Sequence, residues 1–169
     1  MNKKVAIIGS GIAGLTAANL FKTNSDFQVM VYEREKTLSL AEGHGIQLAP
    51  NSISILNKIG FSNIDNNHFF NPSKLNFYSI DNNKICDLNL ARFNTGTIKY
   101  TTLKRFTLIE FLKDGLFTNN IRFGKEVRKV SKIKEKLLIN FTDNTNDLVD
   151  FIIVSDGVFS RTKSIIENK

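Results

Sequence analysis

The first apolar run of the chain, Val5-Ala6-Ile7-Ile8, is short, rich in β-branched residues and stopped by Gly9. An unbroken run of this length is the pattern of a strand covered on both faces. From Ala13 to Phe21 the pattern changes, with alanine and leucine recurring at helical spacing. A second strand-like run, Gln28 to Tyr32, then ends at Glu33. Strand, helix and strand in this order predict a βαβ unit at the start of the chain.

Further on, Pro50-Asn51 opens a predicted helix with apolar Ile53, Ile55, Leu56 and Ile59, closed by Gly60. Residues 61–73 are polar and irregular. Lys74 to Ile80 and Ile85 to Leu90 read as two strands around the turn Asp81-Asn82-Asn83-Lys84. Leu103 to Leu116 carries the best helical pattern: Phe106, Ile109, Leu112 and Leu116 share a face flanked by Leu108 and Phe111. Ile121-Arg122-Phe123 predicts a short strand. Val127 to Ile133 and Leu137 to Phe141 alternate as an antiparallel piece, and Asp143 to Asn146 forms a turn. Leu148 to Val154 is almost continuously apolar and predicts a strand buried on both faces. The whole, residues 1–169, reads as one α/β domain, with residues 66–102 as an excursion that interrupts the βαβ plan.

Between the first strand and the first helix lies Gly9-Ser10-Gly11-Ile12-Ala13-Gly14, a G-x-G-x-x-G turn. In a dinucleotide site Gly9 permits the tight turn, Gly11 lets the backbone approach a pyrophosphate, and Gly14 lets the helix pack close to the strand. The start of the helix, Ile12 and Ala13 included, offers N–H groups and a positive dipole end to the phosphates. Glu33 lies about 20 residues past the last glycine, where an acid that accepts from a ribose is expected.

Composition narrows the partners. The chain has 169 residues, 41% hydrophobic and 23% charged, enough for one domain with a real core. Its net charge of +7 comes from scattered lysines. The densest basic stretch, Lys125 to Lys136, is broken by Glu126 and Glu135, which favours a solvated strand face over a nucleic-acid site. No apolar run is long enough to span a bilayer. Lys3 and Lys4 precede an apolar stretch, but it runs into the glycine turn and not a cleavage site, so a cytoplasmic chain is expected. The single cysteine, Cys86, permits no internal disulfide and reads as a small core residue; with two histidines beside it, no metal site is expected.

Several segments fall in an order that resembles the N-terminal half of the class A FAD-dependent monooxygenases, the hydroxylases of the p-hydroxybenzoate and ubiquinone-biosynthesis type. They are the glycine turn, Glu33-Arg34, Gly45-Ile46-Gln47-Leu48-Ala49-Pro50-Asn51 (close to G-I-x-L-x-P-N), Lys104-Arg105-Phe106-Thr107-Leu108 (close to R-x-x-L), Gly124-Lys125-Glu126-Val127, and Ser155-Asp156-Gly157-Val158-Phe159-Ser160-Arg161 (a D-G motif, usually written with Ala before the Asp). The resemblance implies a Rossmann-like FAD/NAD(P)-binding fold. Ile121–Phe123, Gln28–Tyr32, Lys4–Ile8 and Ile152–Val154 would form its parallel sheet in that order. Residues from Val127 to about Leu148 would supply an antiparallel β-meander, and 66–102 part of a substrate domain.

The same resemblance implies FAD as cofactor and NAD(P)H as co-substrate in the hydroxylation of a small, often aromatic molecule. Gly9, Gly11, Ile12, Ala13 and Gly14 would cradle the pyrophosphate. Glu33 would accept from both adenosine ribose hydroxyls, Arg34 would border the adenosine, and the backbone of the Gly124–Val127 segment would meet the adenine. Gly45 belongs to its motif, Arg105 would neutralise phosphate charge, and Asp156 would link FAD placement to reaction with NAD(P)H. No catalytic residue is assigned, because the flavin carries the hard chemistry. The family continues into the rest of the substrate domain and a G-D motif, whereas this sequence stops at Lys169. That difference implies a chain truncated before the G-D motif, with monooxygenase activity dependent on the parts not present. A complementary C-terminal chain, or self-association, would cover the sheet edge at Phe151–Val154. The alternatives are a stand-alone nucleotide-binding module, or inactive fragment, and an NAD-binding dehydrogenase domain.

Overall fold

The computed structural model describes residues 2–38 and 44–167. In chain order the elements are β1 (Lys3–Ile8), α1 (Ile12–Lys22), β2 (Phe27–Tyr32), β3 (Gly45–Leu48), α2 (Pro50–Asn57), β4 (Phe69–Phe70), β5 (Lys74–Tyr78) and β6 (Lys84–Asn89). They continue with β7 (Thr101–Lys104), α3 (Arg105–Asp114), β8 (Ile121–Arg122), β9 (Val127–Ile133), β10 (Lys136–Phe141), β11 (Asn146–Val149), β12 (Phe151–Val154) and α4 (Arg161–Glu167). Two compact units result: Met1–Leu40 with Leu112–Lys169, and Ala41–Phe111.

The first unit is built on a parallel sheet in the order β12-β1-β2-β8, the order expected from the resemblance. Central β1 is flanked on both sides, Ile8 standing beside Val154 and Tyr32. That position explains its uninterrupted apolar run: Val5, Ala6, Ile7 and Ile8 are all buried. Helix α1 buries Gly14, Leu15, Ala18 and Asn19. The buried Asn19 amide is satisfied by donation to the carbonyls of Leu15 (2.9 Å) and Leu112 (2.7 Å).

The antiparallel meander runs β11-β10-β9. It shares a core with the parallel sheet in which Ala6, Ile8 and Tyr32 meet Val127, Ile139, Phe141 and Val149. The Tyr32 and Phe141 rings lie 4.8 Å apart. A polar clasp reinforces the junction: the Tyr32 hydroxyl donates to the Asp147 carboxylate, which also pairs with Lys4. Burial, aided by Asp147, raises the Tyr32 pKa. Burial acts to raise that of Asp147, but the bonds from Lys4 and Tyr32 outweigh it and hold the group below its ordinary value.

The expected single strand over Leu148–Val154 is instead two strands in different sheets. Asp150 divides them: its N–H donates to the Lys4 carbonyl (2.9 Å) and its carboxylate accepts from the Lys4 N–H (2.7 Å). Antiparallel β11 therefore ends where parallel β12 begins. Nor is the run buried on both faces, since β12 is the sheet edge, with Phe151 47% and Val154 37% exposed. Helix α4, unforeseen in the sequence, follows.

In the second unit β3, β7 and β4 form an antiparallel sheet in the order β3-β7-β4. The helix expected from Leu103 therefore starts at Arg105, because Thr101–Lys104 pairs with Gly45–Leu48 and Leu103-Thr102 with Phe69-Phe70. Helix α2 ends ahead of Gly60, whose φ of 91° is the left-handed conformation of a helix terminator. β5 and β6 form the expected hairpin, with Asn82 at φ 63° in its turn. Cys86 lies in β6 as a strand residue but is exposed, not a core residue. The two-stranded hairpin has no third strand among the described residues to cover it.

Candidate functional site

Strand β1 delivers the chain directly into the glycine turn. Gly9 has φ +103°, and a Cβ there would lie 2.6 Å from the Ser155 carbonyl oxygen. A Cβ on Gly14 would lie 2.0 Å from the Gly9 carbonyl oxygen and 2.7 Å from Ser155 Oγ. Both glycines are demanded by the protein's own packing. Gly11 is not: a Cβ there would meet nothing within 4 Å. Its lack of a side chain leaves open space beside the backbone, as the close approach of a ligand requires. Gly11 is also the N-cap of α1, with no side-chain cap and no acidic residue in the first turn. The positive end of the helix is thus not neutralised by its own sequence.

Glu33 stands at the end of β2, beside that turn. One carboxylate oxygen, Oε2, accepts from Ser10 N (2.8 Å) and Ser10 Oγ (2.7 Å), and Oε1 accepts from Glu35 N (3.0 Å). Burial works to raise its pKa, but the bonds from Glu35 and Ser10, with the Arg34 charge, more than offset this and leave it below the ordinary value. The segment Gly124–Val127 runs along the same backbone, with Gly124 N donating to Glu35 O (2.9 Å) and Lys125 N to Glu33 O (2.7 Å).

The D-G motif closes the opposite side. Ser155, where the family pattern has Ala, donates from Oγ to the Ile8 carbonyl (2.8 Å) and so latches the end of β12 to the glycine turn. Asp156 accepts from Thr162 N through Oδ2 (3.2 Å), while its Oδ1 is buried without a hydrogen-bond partner. Burial acts to raise the Asp156 pKa; hydrogen bonding by Ser160 and Thr162 outweighs it and keeps the carboxyl below its ordinary value.

A cavity of about 240 Å³ joins these groups, lined by Gly9, Gly11, Glu33, Arg34, Val127 and Asp156 among others. Ala13 lines a neighbouring cavity of about 440 Å³ with Ser155 and Asp156. Ile12 and Gly14 lie in the first turn of α1. Gly45 and Arg105 belong to the second unit, where Gly45 pairs with Lys104 and Arg105 N donates to His44 O (3.2 Å). Ser10, Ser155 and Arg161 fall inside the motifs without having been given a role there, and Thr162 lies one residue beyond; Ser155 carried the further signal of a departure from the family pattern.

The cavity wall carries both signs of charge, with Arg34, Lys125 and Arg161 facing Glu33, Glu126 and Asp156. Arg161 pairs with Glu126 at 2.9 Å. Among the described residues no cluster of His, Cys, Asp or Glu could hold a metal ion.

A parallel sheet whose first strand enters G-x-G-x-x-G and whose second ends in a hydrogen-bonded acid defines the class of Rossmann-like dinucleotide-binding folds. A family model described as an NAD(P)-binding Rossmann-like domain matches residues 7–42. More narrowly, the chain is similar to FAD-dependent monooxygenases. It is 28% identical over 165 residues to 6-hydroxynicotinate 3-monooxygenase of Pseudomonas fluorescens, covering 95% of this chain and 42% of that protein. It is 27% identical to 3-amino-4-hydroxybenzoate 2-monooxygenase of Streptomyces cremeus, covering 93% and 40%. Klebsiella pneumoniae HpxO, solved with FAD and uric acid, matches with a TM-score of 0.80 and 24% identity, over 96% of this chain and 41% of that one. The chain thus spans about two-fifths of the length of these relatives.

Proposed function

We propose that this chain is the FAD-binding portion of a flavin-dependent monooxygenase that hydroxylates a small, aromatic-type molecule with NAD(P)H and O2. The observation that carries the reading is the division of labour among the glycines: Gly9 and Gly14 are required by packing, whereas Gly11 faces open space at an uncapped helix start. The orphaned Asp156 Oδ1 adds an acceptor that calls for a hydroxyl or N–H donor, both of which FAD offers.

In this reading Gly11 and the first turn of α1, Ile12 to Gly14, hold the pyrophosphate through N–H groups and the helix dipole. Glu33 accepts from the adenosine ribose, Arg34 borders the adenosine and the backbone near Val127 meets the adenine. Asp156 accepts from the cofactor at the far side of the cavity. For Gly45 and Arg105 the assignment rests on the motif resemblance alone. When bound, FAD supplies the oxygen chemistry of the class. This chain's contribution is to bind it, orient it and keep Glu33 and Asp156 ionised as acceptors.

The relatives extend beyond the aligned two-fifths, and in this reading that further polypeptide completes the substrate pocket and the catalytic site. Residues 66–102 are proposed as this chain's share of the substrate domain, and a complementary segment as the partner of the β12 edge. Among the described residues no helix is long and apolar enough to cross a membrane. Residence in the cytoplasm is part of the proposal. A nucleotide-binding module without oxygenase activity is the second reading, favoured by one fact: the cavity lies wholly within one compact unit.

Separate titrations with FAD and NADH test the assignment. FAD is expected to bind more tightly, and tighter binding of NADH refutes it. Glu33→Ala removes a charge-assisted contact of about 1.5–3 kcal/mol and should weaken FAD binding by about 10- to 150-fold.

A further inference from the structure

We propose that Ser10 is a positioning residue whose hydroxyl turns the Glu33 carboxylate so that one oxygen is held by the glycine turn and the other is presented to a ribose hydroxyl. The inference rests on the FAD-binding reading and goes beyond it, since the motif requires no particular residue between Gly9 and Gly11.

Ser10 is 4% exposed, one of the few buried polar residues among the described residues. It places two donors, its N–H and its hydroxyl, on a single oxygen of Glu33, at 2.8 and 2.7 Å. A carboxylate has about four lone-pair positions, two on each oxygen. Oε2 is therefore filled from the turn. Oε1 holds one donor, Glu35 N, and keeps one position for a ligand. Simultaneous acceptance from both ribose hydroxyls would need one of these protein donors to let go. The site as built takes one strong bond from an unesterified ribose hydroxyl.

Removing the hydroxyl leaves Oε2 with one donor. Each carboxylate oxygen then keeps one backbone donor, Ser10 N–H on Oε2 and Glu35 N–H on Oε1, so the group is held less firmly and its two oxygens are no longer distinguished by their protein contacts. A negative carboxylate fixed at this spot also repels a ribose carrying a phosphate, so the ligand class is a nucleotide with a free ribose diol. Other charged groups lining the same cavity are Arg34, Glu35, Lys125, Glu126, Asp156 and Arg161. None of them donates to Oε2, so Ser10 alone sets that oxygen's place.

The test compares the wild type, Ser10→Ala and Ser10→Thr in the full chain. The carbon-13 signal of the Glu33 carboxyl is followed through an acid titration without ligand, and FAD affinity is measured across the same pH range. In Ser10→Ala the Glu33 midpoint should rise, and the acid limb of FAD binding should rise with it. Affinity at neutral pH should fall about tenfold, the low end for one charge-assisted hydrogen bond, because Ser10 N–H remains. Ser10→Thr keeps the hydroxyl and should titrate like the wild type.

An unmoved Glu33 midpoint in Ser10→Ala overturns the proposal. So does a Ser10→Thr that behaves like Ser10→Ala, which would trace the effect to disturbed packing. Failure of the underlying reading looks different: the wild type itself would then not bind FAD, whatever the carboxyl titration shows.

Discussion

Gly11→Ala and Gly14→Ala add the same methyl group to the same turn and should fail in opposite ways. At Gly14 the new Cβ would sit 2.0 Å from the Gly9 carbonyl oxygen, against the 3.0 Å below which real contacts essentially never fall. Helix and turn must separate by at least about 1 Å, the difference of those two values, and the obstacle is backbone. Overpacking of this kind costs about 1–3 kcal/mol, or more where the obstacle cannot yield. The better helix propensity of alanine returns about 1 kcal/mol. Because the obstacle at 2.0 Å is backbone, the upper end of that cost applies, and the net loss of about 2 kcal/mol lowers Tm by about 4–8 °C in a chain of this size.

At Gly11 the backbone is extended (φ −72°, ψ −179°) and the new Cβ meets nothing. The loss of glycine as an N-cap, a few tenths of a kcal/mol to about 1, is offset by about 0.4–1 kcal/mol from a less flexible unfolded chain. Tm should therefore stay within about 2 °C of the wild type. The methyl group does, however, occupy the space the phosphates need, and about 1–3 kcal/mol of misfit weakens FAD by about 5- to 150-fold. Thermal melts give the first quantity, and quenching of flavin fluorescence the second. Wild-type FAD affinity in Gly11→Ala would show that no phosphate passes over this glycine. A Tm loss equal to that of Gly14→Ala would refute the packing argument.

Tyr32→Phe takes one charge-assisted donor from the Asp147 carboxylate, whose side chain is 11% exposed, and should destabilise the first unit by about 1.5–3 kcal/mol in chemical denaturation. An unchanged midpoint would mean that Lys4 alone satisfies Asp147. Acid should unfold the chain through its depressed carboxyls. Glu33, Asp147 and Asp156 have folded-state pKa values below their ordinary 4.5, 3.8 and 3.8, so their stabilisation is present above those values and lost as pH falls through the lowered ones. Asp87 and Asp143, drawn down to about 2 by hydrogen bonds from Lys74 and Lys125 respectively, extend the losing window to that pH. A melting temperature that is flat from pH 5 to pH 2 contradicts this. Finally, β12 is an apolar edge, and Phe151 lies under Lys3 with the ammonium 5.6 Å from its ring centre. Phe151→Glu charges the edge beside that lysine and should reduce self-association in sedimentation; Ile152→Lys is the poorer choice because Ile152 packs against the buried core. A wild-type chain that sediments as a stable monomer would show the edge to be protected.

Local pattern alone determined the glycine turn, its strand and helix, and the acid at the end of β2. Each of these is set within one short βαβ unit: a turn that needs φ above zero, a run that needs cover, and an acid at the end of the neighbouring strand, 23 residues past Ser10. The motif order also carried the parallel strand sequence β12-β1-β2-β8, through the family resemblance. Tertiary structure decided what depends on distant partners. Thr101–Lys104 became a strand and not the first turn of a helix because β3 and β4 lie on either side of it. The run Leu148–Val154 was split because Asp150 finds the backbone of Lys4, 146 residues away in sequence. Hydrophobicity counts the apolar residues of such a run but cannot say which sheet each will join. The same holds in the site. The order within the motif gave Gly9, Gly11 and Gly14 their separate roles, but only the tertiary structure supplied the atoms that enforce them: the Ser155 carbonyl at Gly9, the Gly9 carbonyl and Ser155 hydroxyl at Gly14, and open space at Gly11.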